Sequence, residues 1–585
     1  MSHPLHTLAL WAPASEHVSA IVGGTPVALR RDDDGWWSAP EVALVGPYRF
    51  VVDGDEIPDP RSCHQPDGVD GGSWPLAPYD WHDAGWIGRP LVDEVILELH
   101  VGTFTPEGTL DAAIDRLDDL VDLGITAVEV MPLATFPGER GWGYDGVLLY
   151  AVHPAYGGPD AFRRFVDACH ARHLAVVLDV VYNHLGPSGN HLPRLGPYFT
   201  NAHSTPWGAA VNLDQPGSDE VRRFFVDNAT MWIRDFHVDG LRLDAVHAFH
   251  DDSAASGREP FLAQLTRAVR AAADAVGRVV FVIGESDLND PTLVDPGPDA
   301  PAALDAVWSD DLHHALHVAL TREADGYYAD YVGWEDVARA LERVYVYDGR
   351  MSMHRGRQHG SPVDDRPRRA FVVSVQNHDQ VGNRATGTRL GHLVGPAELE
   401  AAAAVVLCSP FVPMLFQGEE WAASTPFLYA TDHTDPAIAE AVTTGRRREF
   451  GSFVSFTDEV PDPQAEATFR ASVLDWDERE HDPHASVLRW YRRLIEMRRT
   501  HPALRTHGPL DTSAAWHPDT GAFVMMRGQR LMVVVAAGDE PVDVSTLARQ
   551  GDVLLTNDTT WGDDGVLAPG CTVVVDVVGS SAPST

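Results

Sequence analysis

Cysteine is scarce: the 585 residues hold four, Cys63, Cys169, Cys408 and Cys571, and no two form a C-x-x-C pair. That spacing excludes a disulfide framework and a cysteine zinc site, and it predicts a reducing, cytoplasmic compartment. Long hydrophobic runs are absent too, and without about 18 consecutive apolar residues no membrane span is expected. The opening residues, MSHPLHTLALWAPASEH, have no Lys or Arg ahead of a short apolar run, which argues against a signal peptide. Basic residues are few beside acidic ones: 44 Lys and Arg against 85 Asp and Glu give a formal charge of −41. Such a chain repels a nucleic acid backbone or an anionic membrane, so the expected partner is a neutral substrate, with no nucleic acid and no membrane. Short repeats are missing, and the terminal GSSAPST is the sole low-complexity tract.

What is present is ordinary for a globular protein, with 44% apolar and 22% charged residues. The length allows about three or four domains, or one large barrel with attachments. From about Leu8 to Asp53 apolar and polar positions alternate, with turns at Gly23-Gly24 and around Asp34-Gly35, which predicts a small antiparallel sandwich. GPYRFVVDG (Gly46 to Gly54) reads as its last hairpin, and Pro58 to Pro78 as a linker or a packed loop.

From Val95 short apolar strands alternate with helical patterns, the signature of βα units. The strands are Val95 to Gly102, Ile125 to Leu133, His173 to Val181, His237 to His247, Val279 to Ser286, Leu304 to Asp311, Phe371 to Asp379 and Val412 to Glu420. Helices are expected over Asp111 to Leu123, Asp160 to Arg172, Ser218 to Phe236 and Ser486 to Arg499. Alternation returns at Ala522 to Gly528, Arg530 to Gly538 and Cys571 to Val578. The predicted fold is therefore α/β: a (β/α)8 TIM barrel over residues 86–505, flanked by an N-terminal β-sandwich (1–85) and a C-terminal β-sandwich (506–585).

Barrel chemistry gathers at the C-terminal strand ends, and four of these ends are polar. The third carries Asp179, Asn183 and His184; the fourth Arg242, Asp244 and His247; the fifth Glu285; the seventh Asn377, His378 and Asp379. In HVDGLRLDAVH, Gly240, Arg242 and Asp244 share one strand face, so a fixed cation lies beside a carboxylate and keeps it ionised. Taken alone this is equally a structural ion pair. Asp244, Glu285 and Asp379 around one mouth form the paired-carboxylate machinery of glycoside hydrolysis, or a metal cage that Arg242 would oppose. Glu285 follows the apolar FVIG, so desolvation should keep it protonated as general acid while Arg242 holds Asp244 anionic. His313, His314 and His317, at helical spacing, fit capping and packing better than a zinc helix.

DVVYNH (Asp179 to His184), GLRLDAVH (Gly240 to His247), the Glu285 segment and NHD (Asn377 to Asp379) together resemble, in order, the four motifs of the α-amylase family, glycoside hydrolase family 13. The resemblance implies Asp244 as nucleophile, Glu285 as general acid/base and Asp379 as the carboxylate gripping sugar hydroxyls. Arg242, His184 and His378 would contact the cleaved sugar, Tyr144 would stack on it, and Asp179 and His247 complete the substrate-binding set. The family's usual histidine two residues before that tyrosine is Trp142 here. Further stretches, among them LELHVGTFTPEGT (Leu97 to Thr109), ESDLNDP (Glu285 to Pro291) and FQGEEWAASTPFLYATDH (Phe416 to His433), resemble the trehalose-releasing branch of the family. That implies hydrolysis of maltooligosyltrehalose next to its terminal trehalose unit, coupled to a maltooligosyltrehalose synthase. A retaining mechanism would need the two carboxyls about 5–5.5 Å apart. Trehalose would be read by Trp207, Tyr331 and Arg355 with His354, although loop packing suits the two aromatics equally well. The family's calcium loop is represented only by Asp214, so no metal and no cofactor is expected. The N-terminal sandwich resembles the immunoglobulin-like, carbohydrate-binding-module-like domain found ahead of such barrels. Competing readings are an α-1,4-glucan branching enzyme with the same triad and a non-enzymatic glucan-binding protein.

Overall fold

The computed structural model describes residues 7–294, 304–364, 366–450, 460–506, 511–545, 551–562 and 564–577. The terminal GSSAPST and Val578 lie outside the described residues. Eight parallel strands close a barrel: β1 (Ile96–Leu99), β2 (Ala127–Val130), β3 (Ala175–Val180), β4 (Gly240–Leu243), β5 (Phe281–Gly284), β6 (Ala306–Trp308), β7 (Phe371–Ser374) and β8 (Val412–Phe416). Each lies inside a strand expected from sequence and pairs with its neighbours in chain order, β8 returning to β1.

Every residue of β1 to β8 is buried, because helices cover the outer face while side chains fill the lumen. Period-two alternation sorts them: Leu241 and Leu243 join the core under the helices, whereas Ile96, Ala127, Val177, Ile283, Trp308 and Met414 pack together inside the barrel. Main covering helices are α1 (Gly158–Ala171), α2 (Ser218–Asp235), α3 (Phe261–Val276), α4 (Asp311–Thr321), α5 (Pro396–Cys408) and α6 (His484–Thr500). The predicted single helix Asp111 to Leu123 is instead two, Leu110–Ile114 and Leu117–Leu123, broken at Asp115 and Arg116. The break lets the first piece pack on α1 and the second on α6.

Before the barrel lie a four-stranded antiparallel sheet (Thr25–Ala28, Val18–Val22, Tyr48–Val52, Asp55–Ile57) and a three-stranded one (Ala9–Trp11, Trp36–Ser38, Arg30–Arg31). The Pro58 to Pro78 segment is a packed loop: Tyr48 Oη donates to Asp59 at 2.8 Å, and Arg61 Nη1 reaches Asp227 on α2 at 2.8 Å. After the barrel, a five-stranded sheet orders Thr512–His517, Ala522–Arg527, Leu531–Ala536, Thr572–Asp576 and Asp552–Thr556. One face, with Phe523 against Trp334 at 4.9 Å, joins the main core; the other packs under the Val542–Asp543/Val566–Leu567 pair.

Gly240 starts β4 where a Cβ would stand 2.5 Å from the Phe281 ring on β5. Gly240→Ala is therefore expected to cost about 1–3 kcal/mol in urea unfolding, and Phe281→Leu added to it should recover part of the loss. An unchanged midpoint for Gly240→Ala would show that the two strands give way freely.

Candidate active site

The site is built around a buried cation. Alternation along β4 sends Arg242 into the lumen, where its side chain is 0% exposed. Its Nη1 donates to both oxygens of Asp179, at 2.9 and 2.8 Å, and to Asp244 Oδ1 at 2.8 Å. Nη2 donates to Glu285 Oε2 at 2.9 Å, and the guanidinium lies 4.2 Å from the Trp308 ring centroid. Three carboxylates from β3, β4 and β5 thus share one charge.

They do not share it equally. Burial pushes Asp244 upward, but Arg242, His184 and the Asn183 amide, which donates to Oδ2 at 2.6 Å, hold it below the ordinary carboxylate value. Glu285 goes the other way. Burial, with Asp244 and Asp379 nearby, outweighs Arg242 and the Ala245 amide and lifts its carboxyl well above the usual range. Ala245 adopts a left-handed conformation (φ 42°), and its N–H donates to Glu285 Oε2 at 2.9 Å. With two donors on Oε2, Oε1 is left without a hydrogen-bond partner among the described residues. A carboxylate nucleophile beside a protonated acid is the pairing glycoside hydrolysis uses.

Asp244, Glu285 and Asp379 line a cavity of about 460 Å³ with Tyr144, His184, His247, Trp207 and Trp142. Tyr144 Oη donates to Asp179 Oδ2 at 2.6 Å, and its ring stacks on His378 at 5.1 Å. His184 stacks on Trp207, ring centroids 4.5 Å apart. Trp142 packs on Phe427 at 5.1 Å, edge-on to His378, so it supports the site's wall from the position where the family has histidine. Asp379 is the most open of the three, 38% exposed, and accepts from Asn383 at 3.2 Å.

Tyr331 and Arg355 do not line this cavity. They line a second, smaller one with His354 and Asp287, where Tyr331 Oη donates to Asp311 at 2.6 Å and Arg355 Nη1 to Asp287 Oδ2 at 2.9 Å. Asp287 joins the two cavities, its Oδ1 lying 3.9 Å from His247 Nε2. Trp207 is thus separated from the two residues it was grouped with. His313, His314 and His317 bond to Tyr328, Tyr331 and Glu323 respectively. The expectation that the loop after β3 offers only Asp214 to a cation needs correction: His203, Asp214 and Asp252 bring donor atoms within 4.8 Å of one another. The Asp252 partner lies beyond that loop in sequence, and Asp214 already accepts from the Asp252 amide at 3.0 Å.

Sequence reading missed Glu98. Facing the lumen from β1, it takes the His378 amide at 2.9 Å on one oxygen and His378 Nδ1 at 2.5 Å on the other. Burial opposes a charge on His378, but Glu98 and Asp379 raise its pKa to about 10. The available signal was a carboxylate at an inward position of the otherwise apolar strand in VILELHVG.

This barrel, with its lumenal arginine and converging carboxylates, defines a protein of the α-amylase class. The family model "Alpha amylase, catalytic domain" matches residues 55–194. The malto-oligosyltrehalose trehalohydrolase of Arthrobacter ramosus is 50% identical over 92% of this chain and 93% of its own length. A crystal structure of a putative alpha amylase from Salmonella typhimurium superposes with a TM-score of 0.89 at 37% identity, covering 97% of each chain. A 1,4-alpha-glucan branching enzyme of Oleidesulfovibrio alaskensis is 35% identical but over only 41% of this chain and 43% of its own. The chain belongs to the malto-oligosyltrehalose trehalohydrolase family.

The raised value of His378 means that its charge stabilises the fold fully below its ordinary 6.5 and that this contribution is lost as pH rises through about 10. In Glu98→Gln, histidine NMR should show His378 titrating back toward the ordinary histidine range. A titration that stays near the wild-type value would mean that Glu98 does not hold the charge.

Proposed function

We propose that this protein hydrolyses the α-1,4 bond joining a maltooligosyl chain to a terminal trehalose unit, releasing trehalose with retention of anomeric configuration. The observation that carries the chemistry is the one guanidinium holding Asp244 and Glu285, one below and one above the ordinary carboxylate range. The substrate follows from the relatives the chain matches over nearly its whole length.

In the first step an Asp244 oxygen attacks the anomeric carbon while Glu285, through its free Oε1, gives its proton to the departing glycosidic oxygen of trehalose. The ester formed on Asp244 is then hydrolysed by water whose proton returns to Glu285, restoring both groups. Asp379, open to the cavity, takes sugar hydroxyls, and Tyr144, His184 and His378 bound the ring on the nucleophile's side. Asp179 acts through Arg242 and Tyr144, both of which it hydrogen-bonds. The trehalose unit lies toward the second cavity, where the His247, Asp287 and Arg355 chain leads to Tyr331. Trp207, beside His184, offers a face on the opposite flank.

The substrate has to be made by a synthase that converts the reducing end of a maltooligosaccharide into a trehalose unit, so the two enzymes act in sequence. Four buried free cysteines suit a reducing cytoplasm, and among the described residues no helix is long and apolar enough to cross a membrane. We read residues 1–85 and 506–585 as sandwich domains bracing the barrel of 86–505.

With maltotriosyltrehalose the expected product is free trehalose, and maltopentaose should be cut far more slowly; branched products from amylose would instead make the protein a glucan branching enzyme. Glu285→Gln should lower kcat about 10²–10⁴-fold on the natural substrate. It should lower kcat much less on a glycosyl fluoride, whose leaving group needs no proton. Equal losses on both substrates would remove Glu285 from the acid role.

A further inference from the structure

Asp287, Asp310, Asp311 and Asp330 line the second cavity, and their oxygens are not equally occupied. Asp311 Oδ1 accepts from Tyr331 Oη at 2.6 Å, and its Oδ2 takes the Val346 and Tyr347 amides at 2.6 and 3.0 Å. Asp330 takes the Met353 and His354 amides on Oδ1, both at 3.0 Å, and the Ser352 hydroxyl on Oδ2. Asp287 is paired with Arg355 at 2.9 Å and has His247 Nε2 3.9 Å from its other oxygen. Asp310 differs from all three. Its Oδ1 accepts from the Gln380 side-chain amide at 3.0 Å, while its Oδ2 has no hydrogen bond, and the carboxyl no ion pair, among the described residues.

Asp310 closes the turn from β6 into α4, at the catalytic end of the barrel. Its partner Gln380 directly follows Asp379, and the same side chain accepts the Asn377 amide at 2.7 Å. One glutamine thus ties Asp310, on the second cavity, to the turn that carries Asp379 on the first. Burial, then the charges of Asp379 and Asp311, raise the Asp310 carboxyl to about 7. Near neutral pH such a group meets a hydroxyl as acceptor in one protonation state and as donor in the other. The second cavity measures about 40 Å³, little more than the roughly 30 Å³ that one water occupies in the liquid. It admits a hydroxyl-bearing arm of a sugar but not a ring.

We propose that Asp310 is a substrate-binding residue on the leaving side, its Oδ2 taking a hydroxyl of the first glucose past the scissile bond. This rests on the reading above that trehalose departs toward the second cavity. Asp379 and Asp310 then grip the sugars on the two sides of the bond, Asp379 the one attacked and Asp310 the one released, with Gln380 fixing the distance between them. The free oxygen is what singles Asp310 out: a polar atom without a protein partner at the edge of a closed site is satisfied by the ligand, and a ligand lacking the matching hydroxyl leaves it unpaired. In the sequence, Asp310 and Asp311 read as one acidic helix start. The structure divides them, since Asp311 is spent on Tyr331 and backbone amides and Asp310 is not.

The test compares kcat/KM on maltotriosyltrehalose and on α-maltotriosyl fluoride, which has no sugar past the scissile bond, for the wild type, Asp310→Ala and Asp310→Asn. Removing a hydrogen bond to an ionisable group should lower kcat/KM on maltotriosyltrehalose about 10- to 100-fold in Asp310→Ala, with fluoride hydrolysis staying within about twofold of wild type. Asp310→Asn keeps an acceptor for Gln380, so a loss confined to maltotriosyltrehalose in that variant isolates Oδ2; it also decides the matter if Asp310→Ala does not fold. Equal losses on both substrates would assign Asp310 to holding the Asn377–Gln380 turn, and no loss on maltotriosyltrehalose would separate it from the sugar; either result overturns the proposal. Failure of the substrate reading shows separately, as a wild type that frees no trehalose. Maltopentaose against the fluoride then decides on Asp310 by the same split.

Discussion

A bare guanidinium in the lumen of a parallel barrel is the constraint on which the rest of the site depends. Isolated, a buried charge is unfavourable by many kcal/mol, and it persists only where paired and hydrogen-bonded groups surround it. Arg242 meets that condition with Asp179, Asp244 and Glu285 on its two terminal nitrogens and the Trp308 ring against its plane. The consequence runs in both directions. One positive charge cannot keep three buried carboxylates ionised, so their local donors decide which stays charged. Asp244 has Asn183 and His184 in addition and stays below the ordinary range. Asp179, buried and near Asp244, rises to about 6 despite Arg242. Glu285, facing both Asp244 and Asp379, is lifted well above the ordinary carboxylate range. A proton-holding acid beside an anionic nucleophile is thus a product of sharing one cation unequally.

Below that layer the lumen is apolar. Ile96, Ala127, Val177, Ile283, Val372 and Met414 fill it and exclude water from the foot of the barrel upward. The polar layer above is therefore supported only from the sides and from the mouth. Glu98 on β1 grips His378, and Glu129 on β2, opposite it in register, is buried with neither carboxyl oxygen hydrogen-bonded among the described residues. Burial and then Glu98 raise Glu129 well above the usual range, which makes it a neutral spacer between Glu98 and Asp179 rather than a further anion. A second ionised group there would compete for Arg242 and disturb the division described above.

How much of this could be read from the sequence depends on how far apart the partners lie in the chain. The eight strands were legible because each carries its own signal, a short apolar run with turn residues after it. The Arg242 and Asp244 pairing was legible because they lie two positions apart and a strand alternates. The helix expected over Asp111 to Leu123 failed at Asp115 and Arg116, where no glycine or proline marks the break and packing on two different helices decides it. Glu98 was illegible as a partner because His378 lies 280 positions away. The same holds for Asp252, which reaches Asp214 across 38 positions, and for the parting of Trp207 from Tyr331 and Arg355. A motif names the residues at a strand end, but which loops fold back over that end is settled by long-range contacts.

Net charge and affinity for the ligand are separate matters at the mouth of the barrel. A neutral oligosaccharide gains nothing from a field of −41 charges, so at the mouth affinity has to come from stacking and from directed hydrogen bonds. The residues there fit that demand: Tyr144, Trp207, Trp142 and Tyr429 supply aromatic faces, Arg242 holds Asp244 and Glu285, and Asp379 stands open to hydroxyls. The net charge therefore bears on which molecules are kept away, while the groups that hold a neutral sugar act through local contacts alone.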